Sequence, residues 1–467
     1  MITRLILDND AEWLHDRRMA ARSENSLLGG SMKRFVISFT VACCALAGLA
    51  ADVVPAAAQA KTSSAPSDVG VSGNTIRIAV VADVDNPLKP GLFQGALNGV
   101  NAAVKAINKS GGVAGRKVQV DFIDSKLNPT TTRNALITAC TNDFAMVGTA
   151  AAFITNIDDE TKCADKAGAA VGLPDLASFV TGPQQCSPVA YPVNPSAIVC
   201  STKDQHPQTY QGSTGVPAWL LKTRGPDLHG LFLGTNDSAV ATRAQDLLLA
   251  FAKAGGLKED QHPLVSASSP QSAYTPLVLK MRDDNSNLAV NAGGSSLMQS
   301  LLQEAQLQGI DLKKVTWDCY SCYDKQLPAA GDIANGVYQG LSVLPFEDGK
   351  ANANLQNLIK GVGSGQLDQF SVYGYAAVLL FKEAAEKAAA AKGGLTRANL
   401  LAALSGIHEF TAGGLMGGND IAARRFGSCF VVMQVQNAKW VRVHPAKPGT
   451  YDCNATHKTL QIDQPTG

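Results

Sequence analysis

The clearest hydrophobic pattern in the chain spans residues 75–124. Thr75-Ile-Arg-Ile-Ala-Val-Val-Ala82 is apolar and β-branched and stops at the turn-forming Asp83-Val-Asp-Asn-Pro87, which predicts a buried strand. After Pro90-Gly91, apolar residues recur at helical steps at Phe93, Leu97, Val100, Val104 and Ile107 until Gly111-Gly112 intervenes, which predicts a helix of about four turns. Residues 117–124 then alternate, with Val118, Val120 and Phe122 on one side, as in a second strand. Such a strand, helix, strand unit is a parallel crossover. It carries Asp83 and the residues after it to the carboxyl edge of a sheet, where open α/β folds place their ligands.

The same grammar continues. A helix is expected from Thr131, a buried strand over 144–148 with the small, apolar exit Thr149-Ala-Ala-Ala-Phe-Ile-Thr155, a helix over 158–167, and a further exit at 175–179. Residues 181–212 read as an irregular surface stretch. A second series follows: strand 228–234 with exit Thr235-Asn-Asp-Ser238, helix 239–254, strand 263–268, helix 274–281 and strand 287–292. Gly293-Gly-Ser-Ser296 then opens a helix, either binding a carboxylate or phosphate through free backbone amides or as a plain cap. Val315-Thr-Trp317 is expected to be the last strand of this series, with Asp318, Tyr320 and Tyr323 at its exit. Helices over 371–392 and 395–404 and strands over 428–435 and 440–443 complete the pattern. The repetition predicts an α/β fold of two Rossmann-like lobes.

Length and composition narrow the function. With 467 residues, 45% hydrophobic, the chain can build a large core, and 40 Lys plus Arg against 39 Asp plus Glu leave no field that would draw nucleic acid or acidic membranes. Met32-Lys-Arg34, the apolar run 35–51 and the small-residue motif Ala56-Ala-Ala-Gln-Ala60 read as a signal peptide over 32–60, the alternative being a retained anchor. Residues 1–31 then form a leader or an over-extended start, and Cys43 or Cys44 offers a lipid-attachment alternative. Export suits disulfides. Grouping the eight remaining cysteines by proximity suggests Cys140 with Cys163, Cys186 with Cys200, Cys319 with Cys322, and Cys429 with Cys453. Cys319-Tyr-Ser-Cys322 could instead be a redox or zinc pair, but no His sits beside it.

No nucleophile elbow, phosphate loop or zinc-protease motif occurs. His206, His229, His262, His408, His444 and His457 are scattered, and the acid pairs Asp83 with Asp85 and Asp158 with Asp159 suit solvated turns and helix starts better than catalysis. A hydrolase is therefore the weakest reading, and no cofactor or metal is expected.

From Ile76 to Val443 the landmarks resemble the type I periplasmic binding proteins, in particular the leucine/isoleucine/valine-binding branch. The resemblance rests on Ile76-Arg-Ile-Ala-Val-Val81, on Gly95-Ala-Leu-Asn-Gly-Val-Asn-Ala-Ala-Val-Lys-Ala-Ile-Asn-Lys-Ser-Gly-Gly-Val-Ala-Gly-Arg-Lys117, on Pro129 and on Tyr375-Ala-Ala-Val378. It implies one lobe over 61–212 and 345–428, a second over 213–344 and 429–467, and a hinge of three crossings that closes over a solute. It also implies an exported monomer, in the periplasm or at the outer face of the envelope, with lipid anchoring as the alternative to a free form, serving the permease of an ATP-driven importer. A receptor reporting to a signalling partner would use the same cleft.

The family's amino acid binders hold the ligand carboxylate with hydroxyls and amides after the third strand and the ammonium with an acid of the second lobe. Here Ala150-Ala-Ala152 replaces the hydroxyl-rich segment, Ser178-Phe179 stands where Ala-x-Thr is common, and Asp318 falls near the ammonium-binding position. The candidate ligand set is therefore Asp83, Thr149, Ala152, Phe153, Thr155, Ser178 and Phe179 on one lobe, with Asn236, Asp237, Ser238, Gly294, Ser295, Asp318, Tyr320 and Tyr323 on the other. Its aromatic members favour an aromatic carboxylate or an amide over an α-amino acid.

Overall fold

The computed structural model describes residues 68–87, 89–203 and 207–463. The predicted leader and signal segment, Cys43, Cys44 and His206 lie outside them. Strands β1 (Thr75–Ala82), β2 (Lys117–Asp124), β3 (Ala145–Val147) and β4 (Asp175–Leu176) form a wholly parallel sheet in the order β2-β1-β3-β4. Alternation along β1 divides its core: Ile76, Ile78, Val80 and Ala82 enter the main apolar cluster, and Ala79 and Val81 enter a smaller one with Leu136 and Ala139. The helix Gln94–Lys109 covers the first face and buries Leu97, Val100, Val104 and Ile107, the stripe that the sequence predicts. Helix Pro129–Asn142 covers the other face; the Asn128 side chain caps it by accepting from the Thr131 amide at 3.0 Å.

Two glycine-lined helices cross closely over the first face. A Cβ on Gly99 would fall 2.0 Å from the Ser371 carbonyl oxygen, and one on Gly374 would fall 2.2 Å from that of Ala96. Helix Gln369–Ala390 thus packs backbone to backbone on helix Gln94–Lys109, the separation that only absent side chains permit. Arg397, fully buried, adds a second long-range tie: its guanidinium donates to the carbonyls of Cys140 at 2.8 Å, Ala164 at 2.7 Å and Phe144 at 3.2 Å. It closes the carboxyl end of helix Pro129–Asn142 with a cation.

Strand β5 (Gln208–Ser213) lies within the stretch that the sequence suggests is irregular. The second sheet contains β6 (His229–Thr235), β7 (Lys258–Gln261), β8 (Leu264–Val265), β9 (Leu288–Asn291), β10 (Thr316–Cys319), β11 (Tyr338–Leu341), β12 (Val431–Gln436) and β13 (Lys439–His444). Its order is β13-β12-β11-β10-β9-β6-β7, with β8 beside the end of β6; the pairs from β6 to β11 are parallel and the last two are antiparallel. Leu231 and Leu233 face the main cluster and Phe232 the opposite one, under helices Gly215–Arg224 and Ala239–Ala254. A last strand, β14 (His457–Ile462), returns to pair antiparallel with β5.

Several local expectations change. The helix expected over 158–167 is one turn, Asp158–Thr161: Cys163 is tethered to Cys140, and the Asp165 carboxylate turns the chain by accepting from the amides of Ala167 and Ala169. Of the strand expected over 263–268 only β8 forms, and β7, ahead of Pro263, lies outside the expected range; Pro263 between them has no N–H for the ladder. β10 is not the last strand of its sheet, because β11 to β13 follow. The other bridges join Cys186 to Cys200, Cys319 to Cys322 and Cys429 to Cys453.

The helix crossing gives a direct test. Gly374→Ala should lower unfolding free energy by about 1–3 kcal/mol, the usual cost of overpacking, measured by denaturant titration. A variant as stable as the parent would show that the two helices separate freely.

Candidate functional site

In each sheet the strand order reverses beside its first strand, between β1 and β3 and between β6 and β9. Loops leaving such strands diverge and open a crevice at the carboxyl edge. The site residues suggested by the sequence sit on these exits, but many spend their polar atoms inside their own lobe.

Asp83 is fully buried, and its carboxylate accepts from Ser125 Oγ at 2.6 Å, the Leu127 amide at 2.7 Å and the Ala152 amide at 2.8 Å. It clasps the exits of β1, β2 and β3. Ser178, also buried, directs its hydroxyl to the Gly148 carbonyl at 2.9 Å. Thr149 is buried, and burial pushes the buried Asp175 carboxyl up to about 6 although Gln184 Nε2 donates to its Oδ2 at 2.7 Å. Ala152 is buried, Phe153 is half-buried and Thr155 is exposed.

The second lobe repeats this economy. Burial alone would raise the Asp237 carboxyl, but hydrogen bonds from Ser266, Thr235 and the Ala267 amide hold its pKa below the ordinary value. Ser238 caps helix Ala239–Ala254 by accepting from the Ala241 amide at 3.1 Å, and Ser295 Oγ reaches Asp324 Oδ2 at 2.8 Å. Tyr323 lies away from the crevice: 2% exposed, it stacks on Phe346 at 5.3 Å, and its hydroxyl donates to Glu347 and accepts from the Phe346 amide. Asn236 and Gly294 stay at the exits, the first exposed and the second with φ +92° at the start of helix Ser295–Leu307.

Asp318 occupies an interior row. It pairs in register with Val290 and Tyr338, and Val290 pairs with Phe232, so its side chain shares the helix-covered face with these apolar residues. Its Oδ1 is buried with no hydrogen-bond partner, and burial pushes the carboxyl up to about 7.

Beside these exits lies an aromatic cluster in which Phe93 and Tyr373 are themselves almost wholly buried. The Phe93 ring lies 5.0 Å from Phe179 and edge-on to Phe370 at 4.9 Å, and Phe370 lies 6.2 Å from Tyr373, whose hydroxyl is 2.9 Å from Ser342 Oγ. Tyr320, from the second lobe, is 56% exposed. Lys89 completes the edge. A Cβ on Gly294 would sit 3.4 Å from Lys89 Nζ, so the ammonium reaches the exit of β9. Gln339 of β11 also joins the lobes, donating from Nε2 to Gln369 Oε1 at 2.9 Å.

Lys89, Phe93, Phe370, Tyr373, Gln339 and Gln369 are absent from the set suggested by the sequence. Phe93 and the pair Phe370 and Tyr373 each mark a helix start beside the crevice, a position that reading them as core conceals. Four histidines pair with acids elsewhere, His229 with Asp260, His262 with Glu259, His408 with Asp420 and His444 with Asp452. Two recesses of about 370 and 360 Å³, one beside Arg224 and Lys313 and one beside Ser72 and Arg77, open at the amino-terminal edges of the sheets instead.

A family model described as periplasmic binding protein matches residues 75–439. The chain belongs to that family. Its two-lobed fold is the type I form found in proteins that bind branched-chain amino acids. A fatty acid ABC transporter substrate-binding protein from Thermomonospora curvata is similar in structure, with TM-score 0.61, 16% identity and coverage of 82% of this chain and 95% of that one. A substrate-binding protein from Aeropyrum pernix gives 0.63, 16%, 81% and 96%. The LivJ protein of Streptococcus pneumoniae in complex with isoleucine gives 0.58, 15%, 79% and 100%. A search of curated protein sequences finds no match. The family is one of solute binders and not a class of enzymes, which implies a small-molecule ligand and a place outside the cytoplasm. Among the described residues no helix is long and apolar enough to cross a membrane.

Asp318 makes the periplasmic binding fold sensitive to pH. Its pKa is raised above the unfolded value, so the stability it contributes is complete below about pH 4 and lost as pH rises through about 7. Resistance to thermal unfolding should therefore fall between about pH 4 and pH 7 and level off above that. Asp318→Asn should flatten that decline by about 1–2 kcal/mol near pH 8; an unchanged decline would assign the titration elsewhere.

Proposed function

We propose that the protein is the exported solute-binding component of an ABC importer, and that its solute has an apolar or aromatic body and a carboxylate. The observation that carries this reading is the pairing of one aromatic wall, Phe93, Phe179 and Phe370, with the Lys89 ammonium across from Gly294 and with the exposed ring of Tyr320. An apolar body loses water against the wall, and a carboxylate is matched by the ammonium. The lobes we assign are 61–212 with 345–428 and 213–344 with 429–467, closing on the solute about the three crossings.

An α-amino acid fits less well. Its ammonium needs a carboxylate, and Asp83 and Asp237 are committed to internal donors, while Asp318 lies a row below the edge in surroundings that favour its neutral form. The fatty acid named for the Thermomonospora curvata protein combines a carboxylate with an apolar body, the combination favoured here.

The test is a thermal-shift screen of the oxidised protein against α-amino acids, aromatic carboxylates, fatty acids and the corresponding amides. A solute at a hundred times its Kd should add roughly 2.7 kcal/mol. Carboxylates should shift the transition and their amides should do so weakly. Lys89→Ala and Phe179→Ala should each weaken binding about tenfold, the effect of losing one good contact. A shift confined to α-amino acids and indifferent to Lys89→Ala would overturn the reading.

A further inference from the structure

The short disulfide Cys319–Cys322 sits at the crevice, and its place there suggests more than a staple. Cys319 ends β10, Tyr320 and Ser321 form the span, and both half-cystines are fully buried, whereas Tyr320 between them is 56% exposed. A bridge across three positions leaves the intervening backbone few conformations. Here it turns one large ring out of a strand whose four residues are all buried.

Besides the local bond from the Asp324 amide to the Cys322 carbonyl at 2.7 Å, the bridged loop is held by β9 and by Gln339 of β11. The Tyr320 amide donates to the Asn291 carbonyl at 2.9 Å, and the Asn291 side chain, held by the Gly294 carbonyl at 2.8 Å, reaches Cys319 Sγ at 3.4 Å. The Cys322 amide donates to Gln339 Oε1 at 2.7 Å. Gln339 Nε2 returns to the Tyr320 carbonyl at 3.1 Å and continues to Gln369 Oε1 of the first lobe at 2.9 Å. Gln339 is fully buried, so an amide group deprived of these partners would be left unsatisfied in the interior. One side chain therefore reads the shape of the bridged loop and the position of helix Gln369–Ala390 together.

We propose that the Cys319–Cys322 bridge is a positioning element for solute recognition: it presents the Tyr320 ring to the crevice and, through Gln339 and Gln369, couples that presentation to the meeting of the lobes. This rests on the crevice being the solute site. The bridge acts through Tyr320 and does not itself touch the solute. It need not contribute to the stability of the second sheet, whose strands are paired independently of it.

The test compares the oxidised full chain with Cys319→Ser/Cys322→Ser and with Tyr320→Ala, by hydrogen exchange and by binding of the carboxylate series benzoate, 4-hydroxybenzoate and decanoate. In the double variant, exchange of peptides covering 318–325 should rise at least tenfold, with β6 and β9 protected as in the parent. Unchanged exchange there would show that Asn291 and Gln339 hold the loop without the bridge. A rise throughout the second sheet, or failure to fold, would make the bridge a staple; either result overturns the proposal. Gln339→Met, which keeps the bridge, guards the conclusion: it should release the Cys322 amide while the Tyr320 amide, bonded to Asn291, stays protected, and release of both would place control in Gln339 alone and overturn the role of the bridge.

For whichever of the three carboxylates binds the parent, Tyr320→Ala and the double variant should weaken binding by similar factors, about tenfold, and most for the aromatic members. If Tyr320→Ala weakens binding and the double variant does not, the positioning role fails and the crevice reading stands. If Tyr320→Ala binds all three as the parent does, or if none binds and the exchange of 318–325 is equal in all forms, the crevice reading and the proposal fail together.

Discussion

A buried carboxylate holds the floor of the crevice together. Asp83 has no access to water and draws its compensation from Ser125, Leu127 and Ala152, that is, from the exits of β2 and β3 as well as its own strand. Burying a charge without such donors would be prohibitive, so the three loops are bound to one geometry. The second lobe has the same device in a more open setting. Asp237, just past β6, collects Thr235 and the residues Ser266 and Ala267 beyond β8. Each lobe thus fixes its switch point with an acid whose charge is turned inward. What remains to face a solute is therefore mostly ring and ammonium.

The lobes are joined by continuous packing and not by loose connections alone. One apolar cluster runs from Ile76 and Val100 through Tyr323, Leu341 and Trp440 to Leu231 and Trp317. Near the crossings, Arg442 of β13 pairs with Asp348 in nearly complete burial, and Arg442 Nη1 also donates to the Thr450 carbonyl at 3.0 Å. Breaking such a pair leaves a buried charge, which is more costly than the pair is stabilising. Trp440 Nε1 donates to the Asp324 carbonyl at 2.8 Å, and Tyr323 bonds to Glu347, so the exit of β10 is anchored at the hinge on one side and by Gln339 on the other.

Local pattern was legible in the sequence where the cause is local. The stripe of helix Gln94–Lys109, the alternation of β1 and β2 and the range of helix Ala239–Ala254 follow from periodicity and turn residues. β5 and β14 were not legible, because their pairing joins residues some 250 positions apart and neither strand is strongly apolar. Gly99 and Gly374 are equally silent: each alone is a weak helix residue, and their purpose exists only in the crossing. The site shows the same division. A polar residue after a strand looks alike whether it binds a ligand or clasps a loop, so Asp83, Asp237 and Ser178 could not be told from ligand contacts without their partners. Tyr323 was placed by its neighbour Tyr320, although three residues of chain separate a hinge residue from a crevice residue.

The charge economy of the crevice follows from these placements. Asp83 and Asp237 are saturated by donors, and Asp318 favours its neutral form, so the carboxylates of the strand exits offer little to a cation. Asp368, which caps helix Gln369–Ala390, feels Lys89 but remains bound to the Ser371 amide at 3.1 Å, and burial raises its pKa more than Lys89 lowers it. Lys89 is therefore only partly matched by this lobe. If the lobes close on a solute as proposed and water leaves, attraction between the Lys89 ammonium and an anionic group would strengthen with the fall in local dielectric. The same loss of water penalises a cationic or unpaired polar solute group against Phe93, Phe179 and Phe370. On the reading proposed above, a preference for an apolar carboxylate would require no dedicated arginine, because the acids of the strand exits are already bound within their own lobes.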